Sequence, residues 1–103
     1  MEHLQTGKNT MYEASVRVPF LLSGTSIESK ISRDLVSLLD VFPTLCDLFE
    51  VETPSDLSGR SVLSSSSSSD RAVISQYHSL YSGAGTYMVR QGDYKLVLYG
   101  DYD

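Results

Sequence analysis

Lys8 stands in a polar stretch, Gly7-Lys8-Asn9-Thr10-Met11-Tyr12-Glu13-Ala14-Ser15, five residues before Glu13. A positioned ammonium group stabilises negative charge that develops during a reaction, more strongly where water is excluded. On an open surface the same lysine is simply solvated. His3, five residues earlier, can relay a proton near neutral pH or hydrogen-bond a loop backbone. Glu13 and Arg17 are opposite charges four residues apart. They orient the loop that carries Lys8, or they form an ordinary ion pair worth under about 1 kcal/mol when exposed. His78, directly after Tyr77, is either a ligand-facing group or a polar turn residue. Cys46 is the single cysteine, and a thiol needs the right surroundings to act as a nucleophile.

The elements that must position these groups read as a mixed α/β chain. Val16, Val18, Phe20, Leu21 and Leu22, with Pro19 near the start and Gly24 closing the run, predict a strand over 16–22. A nearly continuous apolar run suits a strand buried on both faces of a parallel sheet. A polar loop feeding such a strand is where an α/β protein commonly keeps its chemistry. Residues 23–33 read as a polar connection. Leu35, Leu38, Leu39, Phe42, Leu45, Cys46 and Phe49 follow helical spacing, with Asp34, Ser37, Asp40, Thr44 and Asp47 largely off that stripe. The helix is predicted over about 40–50, after an irregular turn. Either Asp40 is its N-cap, so that Pro43 falls where no backbone donor is needed, or Ser37 and Asp40 form a capping box. On the stripe, Cys46 reads as a buried packing thiol.

Residues 51–63 read as loop, punctuated by Pro54 and Gly59. The serine run 64–69 has too little apolar surface to offset its own ordering entropy and reads as flexible linker. Beyond it, 72–77, 87–91 and 94–99 are strand candidates, and Gly92-Asp93 between the last two is a hairpin signal. The chain thus divides into residues 1–63, a linker 64–70, and the beginning of an antiparallel β unit over 71–103.

Bulk properties narrow the function classes. The chain has 103 residues, a formal net charge of −5 and a pI of about 4.8. A nucleic-acid binder would need a basic face. The same charge gives no general attraction to polyanions, so any anion site must be local. No apolar run is long enough to span a bilayer, and the N-terminus is polar without the apolar core of a signal peptide. One cysteine excludes an internal disulfide framework, and Asn9-Thr10-Met11 is not a glycosylation sequon.

The run Lys8-x-x-x-Tyr12-Glu13-x-x-x-Arg17-Val18-Pro19, followed by an apolar stretch and preceded by Met1-Glu2-His3, resembles the sulfatase family of the alkaline-phosphatase-like superfamily, arylsulfatase type. Glu13-Ala14-Ser15 stands where many sulfatases have Glu-Gly-Gly. The resemblance continues through 36–48, 57–63, 74–78 and 86–90, so it covers nearly the whole chain apart from the serine run and the last residues. It implies part of the α/β/α sandwich of a sulfatase, one core strand plus a helix, followed by strands of the small antiparallel sheet that ends that fold.

The activity it implies is sulfate-ester hydrolysis on aryl sulfates or sulfated sugars, such as the uronate sulfates of glycosaminoglycans. It also implies calcium and a formylglycine as cofactors of the whole enzyme, and a lysosomal or secreted compartment. Lys8 takes the role of the lysine that contacts substrate sulfate. His3 and His78 are weaker substrate-side candidates, and Glu13 and Arg17 support the loop. The family nucleophile arises in a Cys-x-Pro-x-Arg context. Cys46-Asp47-Leu48-Phe49-Glu50 has neither the proline nor the arginine. The Asp-Asp strand end and the Asp-His or Asp-Asn metal pair are also missing, and Asp34, Asp40, Asp47, Asp56, Asp70 and Asp93 are too scattered to converge on calcium. The expectation is therefore a C-terminal piece of a sulfatase domain, inactive by itself, with nucleophile and metal ligands upstream of Met1. A non-catalytic anion- or partner-binding remnant is a competing reading. A phosphoesterase of the same superfamily is another, because Lys8 alone does not distinguish sulfate from phosphate.

Overall fold

The computed structural model describes residues 9–64, 70–78 and 84–101. Its order is α1 (Glu13–Val16), a 3-10 turn (Leu38–Asp40), α2 (Val41–Leu48), and strands β1 (Ala72–Tyr77), β2 (Ala84–Gln91) and β3 (Tyr94–Asp101). The strands form one antiparallel sheet in the order β1-β2-β3. The chain is mixed α/β, as its patterning requires.

The hairpin is set locally. Gln91 pairs with Tyr94 across Gly92-Asp93, and Gly92 has φ +54, the left-handed conformation that glycine adopts without a Cβ penalty. Alternation then sorts the side chains. Tyr77, Thr86, Met88, Arg90, Lys95 and Val97 share the inner face, where Met88 and Thr86 are buried. Ile74, Val89 and Leu96 form an exposed cross-strand row on the outer face.

Residues 16–22 do not form the expected strand. Val16 ends α1, and residues 17–22 join no β ladder. A strand needs a hydrogen-bonding neighbour, and none of the described strands lies beside this run. Pro19 also disfavours helix at Val18, which helps to end α1 after one turn.

The helix comes where the apolar spacing places it, within two residues at each end. Ser37 and Asp40 form the capping box. Asp40 Oδ2 accepts from Ser37 N at 2.8 Å, and Ser37 Oγ accepts from Leu39 N at 3.3 Å. Pro43 has no N–H to offer the Leu39 carbonyl, and the chain at Gly59 packs directly against that carbonyl; a Cβ there would overlap it. The helix ends in a Schellman arrangement. Val51 N donates to Cys46 O at 2.9 Å and Glu50 N to Asp47 O at 3.3 Å, which places Glu50 at φ 55.

Cys46 is buried as its place on the stripe predicts, but most of the apolar stripe faces outward. The buried residues of α2 are Pro43, Thr44 and Cys46, while Leu38, Phe42, Leu45 and Phe49 are exposed. The polar face finds partners in residues 60–63. Thr44 Oγ1 accepts from Val62 N at 3.1 Å and donates to Asp40 O at 2.6 Å, and Ser61 Oγ donates to Asp47 Oδ2 at 2.6 Å. The apolar stripe has no comparable partner among the described residues. The buried hydrophobic side chains described are Met11, Cys46 and Met88. The radius of gyration, 16.1 Å, exceeds the roughly 13 Å of a compact domain this long. Both mark an incomplete core.

Asp40 ties the two parts together. Its side chain is fully buried, and Oδ1 accepts from Arg60 N at 3.0 Å and from Arg71 Nη2 at 2.6 Å. Arg71 Nη1 also donates to Leu35 O at 3.2 Å. Burial pushes the Asp40 carboxyl upward. The hydrogen bond from Arg71 and those from the Arg60 and Ser37 backbones outweigh it and hold the group below its ordinary value.

Candidate functional site

Lys8 and His3 lie outside the described residues, as does most of the serine run. The segment leaving Lys8 is described from Asn9 onward. Tyr12 begins a single helical turn, in which its carbonyl accepts from Ser15 N at 2.9 Å and Val16 N at 3.0 Å. One turn has too few hydrogen bonds to stabilise itself. Its stability comes from the inner face of the sheet.

Each strand contributes one side chain. Tyr77 Oη of β1 donates to Asn9 Oδ1 at 3.3 Å. Arg90 Nη1 of β2 reaches Glu13 Oε2 at 3.2 Å. Lys95 Nζ of β3 donates to Glu13 Oε1 at 2.7 Å and to Met11 O at 2.8 Å. Met11 is buried beneath this network. Arg90 and Lys95 are directly paired across the ladder, where like charges repel, and Glu13 binds both. The Lys95 hydrogen bond is the main reason the Glu13 carboxyl lies below its usual range. Desolvation opposes it, and the charges of Lys95, Arg90 and Arg17 assist in that order.

The Glu13 carboxylate thus goes to Arg90 and Lys95. Arg17 is exposed and adds only the smallest of these charge effects. The four-residue spacing suggested Arg17 as partner, but the sheet cations come closer. No local motif marks Arg90 or Lys95 as partners of Glu13. The available signal was the Gly92-Asp93 hairpin, whose register sets Arg90 beside Lys95. Nothing local announces that Glu13 would meet them.

His78 is exposed, and its ring stands edge-on to Tyr87, with centroids 5.3 Å apart at 81°. Gly85 leaves room for this pair: a Cβ there would lie 3.0 Å from the Tyr87 ring and 3.1 Å from His78 Cε1. Strand alternation puts His78 and Tyr87 on the outer face, opposite the Glu13 network. Cys46 is buried on α2. Among the described residues no three His, Cys, Asp or Glu side chains converge as a metal site, and Asp40 is committed to Arg71 and backbone N–H groups. These residues therefore do not fit a calcium cage. No described helix is long and apolar enough to cross a membrane.

The deciding comparison is with protein families: the model for N-sulphoglucosamine sulphohydrolase, C-terminal, matches residues 1–103. The chain belongs to the sulfatase family. It is 39% identical to rat arylsulfatase K over 113 residues, covering 98% of this chain and 20% of the relative. Human arylsulfatase K is 35% identical over 113 residues, covering 98% and 21%. The zebrafish enzyme is 34% identical over 110 residues, with the same coverage. This sulfatase chain spans about a fifth of the length of the curated relatives it matches. No solved structure matches it.

Proposed function

We propose that this chain is the C-terminal part of a sulfatase that hydrolyses sulfate esters, in which Lys8 contacts the substrate sulfate. The observation that carries the reading is the family match over residues 1–103, together with Lys8, Tyr12, Glu13, Arg17 and Pro19 in their motif. A sulfate ester is anionic, and further negative charge develops on the bridging oxygen as the S–O bond breaks. A fixed ammonium stabilises that charge in the transition state. Residues 9–13, which follow Lys8 in sequence, are held by Tyr77, Arg90 and Lys95.

The substrate class is a sulfated sugar or aryl sulfate, with glycosaminoglycan uronate sulfates the favoured group, acting in a lysosomal or secreted setting. The described residues supply neither a calcium cage nor a formylglycine context, so no step is assigned to them beyond binding and orientation. The rest of the catalytic domain is the partner this reading requires. Two experiments test it. Extending the reading frame upstream of the Met1 codon is expected to reveal an Asp-His or Asp-Asn pair shortly before Lys8, and a Cys/Ser-x-Pro-x-Arg sequence further back. A stop codon directly upstream would overturn the assignment to a working sulfatase. The purified 103-residue chain, supplied with calcium and an aryl sulfate, is expected to show no turnover; turnover would contradict the division of labour.

A further inference from the structure

We propose that the exposed side of α2 is the surface on which the rest of the sulfatase catalytic domain docks; this rests on the reading of the chain as part of such a domain. Leu38, Leu39, Phe42, Leu45 and Phe49 are between 43 and 73% exposed. Their recurrence every three or four residues lines them along one side of the helix and of the 3-10 turn before it. At about 200 Å² for a large apolar side chain, they leave on the order of 600 Å² open. That is at the upper end of what a monomer exposes in one patch and near the roughly 800 Å² that each side of a stable interface buries. The stripe carries no charge. Asp40 is buried against Arg71, and the Asp47 carboxylate accepts from Ser61 Oγ. These bonds, with Val62 N on Thr44 Oγ1, also set the direction of the helix, so its apolar side does not roll inward without breaking them. A one-sided helix of this kind covers a sheet or another helix. The occupant follows from length and charge. Rat arylsulfatase K is matched over 98% of this chain but only 20% of its own length, so most of a sulfatase lies beyond the segment that carries the stripe. A second copy of this chain would instead set one net charge of −5 against another, which opposes self-association.

The test places the same substitutions in two proteins: the 103-residue chain, and the product of the reading frame extended upstream of the Met1 codon. Phe42→Asp and Phe49→Lys are each expected to leave the melting temperature of the 103-residue chain within about 4 °C, as substitutions at exposed positions do. In the extended protein each is expected to abolish accumulation of folded protein, since a charge would be buried there without a partner. Phe42→Leu, which keeps the side apolar, is expected to retain it. Sedimentation of the 103-residue chain is expected to show a monomer. Tolerance of both charged variants in an extended protein that hydrolyses an aryl sulfate overturns the docking face and leaves the sulfatase reading standing. A dimer of the 103-residue chain that Phe42→Asp dissociates makes a second copy the occupant and overturns the inference as well. Loss of the folded 103-residue chain in both charged variants also overturns it, because the stripe would then already be packed within this chain. A stop codon directly upstream, or an extended protein without sulfatase activity, overturns the sulfatase reading and the inference with it.

Discussion

Removing the Asp40 carboxylate is the sharpest perturbation this structure offers. The side chain is fully buried and accepts from Ser37 N, Arg60 N and Arg71 Nη2. Arg71 itself is only 13% exposed. Deleting one member of a buried pair strands the other, which costs about 3–5 kcal/mol. A marginally stable chain has little more than that to lose, since total stabilities run about 5–15 kcal/mol. Asp40→Ala is therefore expected to leave the protein near or past its unfolding midpoint at room temperature. Asp40→Asn, which keeps an acceptor oxygen but not the charge, and Arg71→Met are each expected to lower the urea midpoint with little change in slope. The double variant should lose less than the sum of the singles, with a coupling of about 1–3 kcal/mol. The pH dependence follows in sign. The folded carboxyl titrates below its ordinary value, so its contribution is complete above the unfolded value near about 4 and disappears as pH falls through the lower folded value. Asp40→Asn is expected to remove that part of the acid limb. Single variants costing under about 1 kcal/mol, with additive effects in the double, would refute the view that this pair joins the two parts of the chain.

Gly59→Ala drives a Cβ into the Leu39 carbonyl and is expected to cost about 1–3 kcal/mol by denaturant titration. Glu50→Gly relieves a left-handed residue at the C-terminus of α2 and is expected to stabilise by about 1 kcal/mol, seen as a higher melting temperature. Cys46, buried on α2, is expected to resist a thiol reagent under native conditions and to react fully in denaturant.

Local signals in this sequence were reliable wherever local contacts decide the outcome. Ala72–Tyr77 and the Gly92-Asp93 hairpin were legible because alternation and turn chemistry act over a few residues. The structure extends β2 back to Ala84 and β3 on to Asp101, since pairing prolongs strands beyond their apolar cores. The capping box was one of two arrangements the sequence left open, and Ser37 settles it by reaching Leu39 N. Errors arose where a partner lies far along the chain. The run 16–22 has the composition of a buried strand but no strand beside it. The stripe of α2 has helical spacing but, Cys46 apart, faces outward, because the hydrogen bonds of Thr44 and Asp47 to residues 61 and 62 orient the helix. Spacing pairs Glu13 with Arg17, whereas the cations that bind its carboxylate lie 77 and 82 positions away.

The contacts made by Asn9, Met11, Glu13, Leu35 and Asp40 with Arg71, Tyr77, Arg90 and Lys95 all cross from one side of the serine run to the other. Losing the Asp40–Arg71 pair costs about 3–5 kcal/mol, so the docking of the two sides rests on these few side chains. A change at Arg71 or Lys95 in a sister gene would signal that the seam had opened.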